Sequence, residues 1–261
     1  YYLRCKGYPV TVFEREDKAG GMLLNGIPSF RLEKDVIAAE IEVLKTMGVE
    51  FRFGIDVGSD VTIQQLRDEG YKAFYIAIGA RGGRMAGVPG EDAKGVMSGI
   101  EFLNKVNKDE EHMKLSGKTV VIGGGNVAID VARAAVRLGA EVTVVYRRDR
   151  DSMPAADDEI AEAAEEGVSF RFLASPAEIL GDGKAETLRI ELMELRGGKP
   201  AGTGVYETMN VSAVISAVGQ EIELNGIFRV LMITVKSGIG MRCSPDRNHF
   251  CIDQRSEMHI G

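Results

Sequence analysis

The sequence predicts an α/β chain built from two parallel-sheet, three-layer units, and three observations predict it. Thr119–Ile122, a strand-forming run, feeds into Gly123-Gly124-Gly125-Asn126-Val127-Ala128 and then into helix-forming residues. Gly7–Arg15 lines up with Gly139–Arg147, each being a helix end, a glycine and a Val-Thr-Val strand. Phe74–Ala80 and Val211–Gly219 are both apolar runs that leave through small residues. Chance likeness of two short strands is the alternative to true repetition.

The glycine turn carries the most chemistry. In a strand–turn–helix unit, Gly123 permits the tight turn and Gly125 lets backbone approach a diphosphate. Ala128 is small enough for the helix to pack on its strand. The helix Asn126–Leu138 points its unpaired N–H groups and the positive end of its dipole at the phosphates. Gly139 ends it, and Glu141–Tyr146 forms the next strand. A plain Gly-rich turn is the competing reading, and it does not require that strand and helix context. About 20 residues past the glycines an NAD site usually carries an acidic residue. Here the sequence reads Arg147-Arg148-Asp149-Arg150. Guanidinium groups suit a ribose 2′-phosphate and offer no acceptor to a bare ribose, so NADP(H) is expected over NAD(H). A solvated charge cluster after a strand is the bland alternative.

The chain has 261 residues, enough for two domains, and 44% of them are hydrophobic. A net charge of −7 argues against nucleic acid. The apolar runs are too short to span a bilayer, and Tyr1-Tyr2-Leu3-Arg4 is no signal peptide, so a cytoplasmic location is expected. Cys5, Cys243 and Cys251 show no paired spacing, which suggests reduced thiols and no iron–sulfur ligand set. His112, His249 and His259 stand in no metal-ligand spacing, so no metal is expected.

In chain order, the first strand ends in Glu14, an acceptor for ribose hydroxyls and the opposite choice to Arg147. Two cofactors are therefore expected. The low-bulk stretch with Gly20-Gly21-Met22-Leu23 and Gly26-Ile27-Pro28 is either a loop that approaches a flat ring or a plain connector. Leu32–Met47 is an amphipathic helix stopped by Gly48, Val49–Phe53 a strand, Ile63–Glu69 a short helix and Phe74–Ile78 a buried strand. Gly-rich Arg81–Glu91 crosses between domains, and Ser98–Val106 is a helix before the charged run Lys108–Lys114. Past Met153-Pro154-Ala155, Asp157–Glu166 is an acidic helix whose carboxylates form a solvated face. Val168–Leu173 and Glu186–Leu195 are strands, the second antiparallel. Val211–Gly219 is a buried strand reaching the carboxyl edge of the second sheet.

Gly20–Leu23, Gly26–Leu32, Ile122–Arg133 and Arg147–Arg150 with Met153-Pro154-Ala155 together resemble the small (beta) subunit of NADPH-dependent glutamate synthase. They also resemble the flavin/NADPH part of dihydropyrimidine dehydrogenase, and the resemblance runs from Tyr1 to Gln220. It implies two Rossmann-like nucleotide-binding domains, with the NADPH domain inserted into a truncated FAD domain. The expected boundaries are 1–95 for the partial FAD domain, 96–220 for the NADPH domain, and 221–261 for a return to the first domain or an atypical tail. The resemblance implies that hydride passes from NADPH to FAD. Electrons then go to iron–sulfur clusters, in a missing domain or a partner, and to a large subunit like that of glutamate synthase. Carried over by position, Glu14 holds the FAD adenosine ribose, Gly21, Leu23 and Arg31 lie along FAD, and backbone at Val57 meets its adenine. Gly79 and Ala80 pass near the flavin nucleotide. Gly124, Gly125, Asn126 and Val127, beside Gly123, bind the NADPH diphosphate, while Arg147 and Arg148 take its 2′-phosphate. Ala217 to Gly219 sit beside the nicotinamide half. Read without the resemblance, Arg31 is equally a surface residue at a helix start.

The chain departs from the family in three places. The first phosphate loop, the cysteine-rich cluster domain and a late Gly-Asp pair are absent, and Gly226–Gly261 does not look like the family. The FAD site is therefore expected to be incomplete, and the fragment to be inactive or weakly flavin-binding. Hydride transfer needs no acid–base side chain, so no catalytic residue is nominated. The rival reading is an NADP(H)-binding regulatory module without turnover. An ordinary NADP dehydrogenase would need a Tyr-x-x-x-Lys or His/Asp set, which is not found. The oligomeric state stays open, a homodimer included.

Overall fold

A computed structural model describes residues 1–109 and 112–222. These fall into two compact units, one taking Tyr1–Gly21 and Lys34–Ala80, the other Met22–Glu33 and Arg81–Glu221. The tail 226–261, with the Gly-Asp pair expected to be missing from it, Cys243, Cys251, His249 and His259 lie outside the described residues.

The first unit opens with α1 (Tyr2–Cys5) and β1 (Val10–Glu14); α2 (Gly21–Asn25) then leads into the second unit, and the chain returns with α3 (Lys34–Thr46), β2 (Val49–Phe53) and α4 (Ile63–Asp68). β1 and β2 pair in parallel, from Val10 opposite Val49 to Glu14 opposite Phe53. Helix α3 starts two residues later than its apolar spacing predicts. The amides of Arg31 and Leu32 donate to the Pro28 carbonyl at 3.0 and 3.2 Å, so the chain there is a turn. Helix α4 is held by a capping box between Thr62 and Gln65 and buries Leu66. Phe74–Ile78 corrects the sequence reading: it forms no named strand, and Tyr75 is 72% exposed. β1–β2 is the unit's one named strand pair among the described residues, and within the apolar run only Ile76 makes a bridge.

The second unit adds β3 (Gly82–Gly83), β4 (Val96–Ser98), α5 (Gly99–Lys108), β5 (Lys118–Ile122), α6 (Asn126–Arg137), β6 (Glu141–Tyr146), α7 (Asp157–Glu165), β7 (Ser169–Phe172), β8 (Ala174–Leu180), β9 (Thr187–Arg196), β10 (Lys199–Asn210), β11 (Ala213–Ser216) and β12 (Gln220–Glu221). Five strands form a parallel sheet in the order β4-β11-β5-β6-β7. A parallel sheet must be covered on both faces, and alternation along each strand does this. Val121, Val142, Val144 and Ile215 pack with Phe102 of α5 and Ile129 and Ala132 of α6. Val120, Ile122, Val145 and Val214 pack on the other side against Leu188 and Ile190 of β9. The third layer is thus the antiparallel sheet β8-β9-β10. The sequence reading found β9 but neither of its neighbours. Leu173, with φ of +53°, turns the chain from one sheet to the other.

Two arginines of α6 reach the end of α7. Arg133 donates to Glu166 at 3.0 and 2.6 Å, and Arg137 at 3.1 and 2.7 Å. Hydrogen bonding from Arg137, seconded by Arg133, holds the Glu166 carboxyl down from 4.5 to about 2. Because the folded value is the depressed one, this stabilisation is complete above 4.5 and is lost as the pH falls toward 2. Glu166→Gln is therefore expected to cost about 1–2 kcal/mol at neutral pH, after allowing for screening by water, and almost nothing near the folded value. Unfolding midpoints measured down the acid range would show the two proteins converging.

Candidate functional site

The sheet order reverses between β5 and β11, and their carboxyl ends open side by side, which is where open α/β sheets bind ligands. The amide of Ala217 donates to the carbonyl of Ile122 at 2.8 Å and ties the two exits together. The three glycines of the turn do different things. Gly123 has φ of +144°, and a side chain there would collide with the Ala217 carbonyl and crowd the Ala128 methyl, itself fully buried. Gly124 lies under the Tyr146 ring, whose Cδ2 would be 2.5 Å from any added Cβ. Its carbonyl accepts from Ala155 N at 3.1 Å, and the Tyr146 hydroxyl donates to the Ser152 carbonyl at 2.8 Å. Gly125 is the N-cap of α6, with no capping side chain, and only Pro154 Cγ comes as near as 4.0 Å to its missing Cβ. The first amides of α6, at Asn126 and Val127, lack intrahelical acceptors. A helix start that is uncapped, cradled by glycine and open in front fits a diphosphate.

Beyond β6 the four charged residues divide. Asp149 Oδ1 accepts from Ser152 N at 3.0 Å, and Arg150 Nη1 pairs with Asp157 at 2.7 Å. Both are used in shaping the turn. Arg147 is exposed and Arg148 half-buried, and neither has an ion pair among the described residues. The Arg148 carbonyl accepts from Leu173 N at 3.0 Å, while its Nε is buried with no hydrogen-bond partner. A buried guanidinium nitrogen without an acceptor suits an anionic ligand.

The exit of β11 runs through Ala217 and half-exposed Val218 to Gly219, whose φ is +136°. The Gly219 carbonyl accepts from Arg84 N at 3.0 Å beside the short β3–β12 pair. Tyr146 and Arg84 were not singled out from the sequence. The register Ile122 opposite Val145 brings Tyr146 to the glycine turn, and the β3–β12 pairing brings Arg84 to Gly219. Neither pairing is written in local spacing.

Of the other expected contacts, Glu14, Gly21, Val57, Gly79 and Ala80 belong to the first unit, whereas Leu23 and Arg31 belong to the second. Glu14 closes β1, and its Oε1 accepts from Glu16 N at 3.0 Å. Val57 bridges Val61. Gly21 and Gly79 have φ of +50° and +65°. Leu23 is 49% exposed. Arg31 pairs through Nε with Asp130 and through Nη1 with Glu159. Burial pushes the Asp130 carboxyl up, against the pull of Arg31. No helix among the described residues is long and apolar enough to cross a membrane, and among them no cluster of His, Cys, Asp or Glu could hold a metal ion.

A parallel sheet with a glycine turn at its switch point and an uncapped helix behind it defines the dinucleotide-binding class of α/β proteins. The chain belongs to the pyridine nucleotide-disulphide oxidoreductase family, which matches residues 1–243. The NADP(+)-dependent formate dehydrogenase subunit beta of Moorella thermoacetica is 40% identical over 238 residues, covering 86% of this chain and 33% of that one. A putative glutamate synthase (NADPH) small chain of Cereibacter sphaeroides is 40% identical over 211 residues, covering 77% and 50%. The chain thus spans a third to a half of the length of these curated relatives. Among solved structures, Mycobacterium tuberculosis FprA in complex with NADPH has the same fold, with a TM-score of 0.68 and 23% identity over 81% of this chain and 64% of that one.

Proposed function

We propose that this chain is the nucleotide-binding part of an NADPH-dependent flavin oxidoreductase of the glutamate synthase small-subunit type. The observation that carries the reading is the open cradle at Gly125 with two uncommitted guanidinium groups beyond the next strand. Gly124, Gly125, Asn126 and Val127 present backbone to the diphosphate. Arg147 and Arg148 take the 2′-phosphate, and the β11 exit, Ala217 to Gly219, borders the nicotinamide half. Glu14 at the end of β1 offers a carboxylate to a second ribose, with Gly21, Val57, Gly79 and Ala80 along the flavin nucleotide. Residues 1–95 and 96–220 then act as partial FAD domain and NADPH domain. Bound together, the two cofactors supply the hydride donor and its acceptor, and no protein acid or base is needed. The relatives' names describe single chains of multi-subunit enzymes, which supports a partner that takes the electrons onward, through iron–sulfur centres of its own.

The test is an anaerobic NADPH titration of the protein supplemented with FAD. Bleaching of bound flavin by NADPH, and a much weaker response to NADH, is the expected result. Tight NADP+ binding with no flavin retained would instead make the chain an NADP(H)-binding module without turnover. No preference for the phosphorylated nucleotide would remove the reading.

A further inference from the structure

The segment Met22–Glu33 sits within the second unit, although the chain on both sides of it belongs to the first. Two matched stripes receive it. On α6, Asp130, Arg133 and Arg137 recur at helical spacing, and Glu159, Glu162 and Glu166 do so on and just beyond α7. The Phe30 ring lies under Arg133 and Arg137, with guanidinium carbons 4.9 and 4.0 Å from its centroid. Arg31 reaches both stripes, pairing with Asp130 and Glu159. Asn107 donates to the Asn25 carbonyl at 2.9 Å and fixes the segment's other end. Three guanidinium groups thus face four carboxylates, and Asp130 is only 8% exposed. Asp130 is also four residues past the first residue of α6, which is about 6 Å along the axis from the helix start. A carboxylate there is favoured by the helix dipole, but left uncompensated it offsets the dipole's positive end and repels any phosphate at that end.

We propose that Arg31 is a positioning residue for the dinucleotide site: by neutralising Asp130 it keeps the α6 N-terminus attractive to a diphosphate, so nucleotide affinity depends on the docked segment Met22–Glu33. This rests on the dinucleotide reading above and adds a role that Arg31 exercises through Asp130, apart from the flavin contact that the resemblance implies for it. A charge left uncompensated about 10 Å from a diphosphate, partly screened by salt, corresponds to a loss of about three- to tenfold in affinity.

The experiment is equilibrium binding of NADP+ to the wild type and to Arg31→Gln, Arg31→Lys, Asp130→Asn and the Arg31→Gln/Asp130→Asn pair, at low and high NaCl. Arg31→Gln is expected to weaken binding about three- to tenfold at low salt and by less at high salt. Arg31→Lys keeps most of the affinity, and adding Asp130→Asn to Arg31→Gln restores it. Asp130→Asn alone binds NADP+ as tightly as the wild type or more tightly, a result that a folding defect does not produce. A folded Arg31→Gln protein with unchanged affinity, a double variant no better than Arg31→Gln, or weaker binding in Asp130→Asn alone would overturn the proposal. A wild type that does not bind NADP+ would overturn the dinucleotide reading and this inference with it. Wild-type binding with no coupling between the two residues would overturn this inference alone.

Discussion

Gly123→Ala is expected to lose both stability and NADP(H) binding, whereas Gly125→Ala is expected to lose only the binding. At Gly123 an added methyl meets the backbone carbonyl of Ala217 and, at 3.2 Å, the Ala128 methyl, neither of which can swing aside. The φ of +144° is itself outside the range that side-chain-bearing residues adopt cheaply. Strain and collision together are expected to cost about 2–4 kcal/mol. The same methyl would prise the β5 exit from the β11 exit, moving both halves of the cradle. Gly125 has φ of −93° and ψ of 177°, ordinary extended backbone, and open space where its Cβ would be. The fold accommodates alanine there within about 0.5 kcal/mol. A diphosphate seated on the α6 N-terminus needs that same space, so the NADP+ dissociation constant is expected to rise by about 10- to 100-fold. Thermal unfolding beside NADP+ titration separates the two effects. A Gly125→Ala protein that binds like the wild type would place the diphosphate elsewhere.

That pair of predictions uses the part of the chain that is most legible as sequence. From Thr119 to Tyr146 each structural decision is local: β-branched strand residues, glycines where a side chain cannot fit, alanine where helix meets strand, glycine at the helix end. The roles within the triplet were only partly readable. Gly124 yields to the Tyr146 ring, and that depends on the parallel register of β5 with β6. Phe74–Ile78 reads as a buried strand because it is apolar, yet among these residues only Ile76 makes a bridge and Tyr75 is exposed. β8 and β10 stayed hidden for a related reason. Pro176 and a register shift interrupt β8, and Gly202 and Gly204 interrupt β10, so neither shows sustained alternation, and β9 between them supplies the order. Arg31 is the extreme case. Its partners Asp130 and Glu159 lie 99 and 128 residues away, and nothing in Gly26–Leu32 distinguishes an ion-paired arginine from a surface one.

Replacing Arg147 and Arg148 together by glutamine is expected to abolish the preference for NADPH while leaving NADH binding within about threefold of the wild type. A hydrogen bond to a charged group contributes about 1.5–3 kcal/mol, so two guanidinium groups on one phosphate correspond to a selectivity of about 10²- to 10⁴-fold. Neither arginine has an ion pair to lose among the described residues, and the Arg148 backbone stays pinned by Leu173 whatever its side chain. The double variant should therefore stay folded. Arg150→Gln is the informative control. Its guanidinium is committed to Asp157 at 2.7 Å, so the change should leave the NADPH-to-NADH ratio alone. Raising the salt should erode the wild-type preference and do little to the double variant, because only the former depends on exposed charge. An unchanged ratio in the double variant, or a collapsed ratio in Arg150→Gln, would move the 2′-phosphate away from the end of β6 and leave Arg147 and Arg148 as solvated charge.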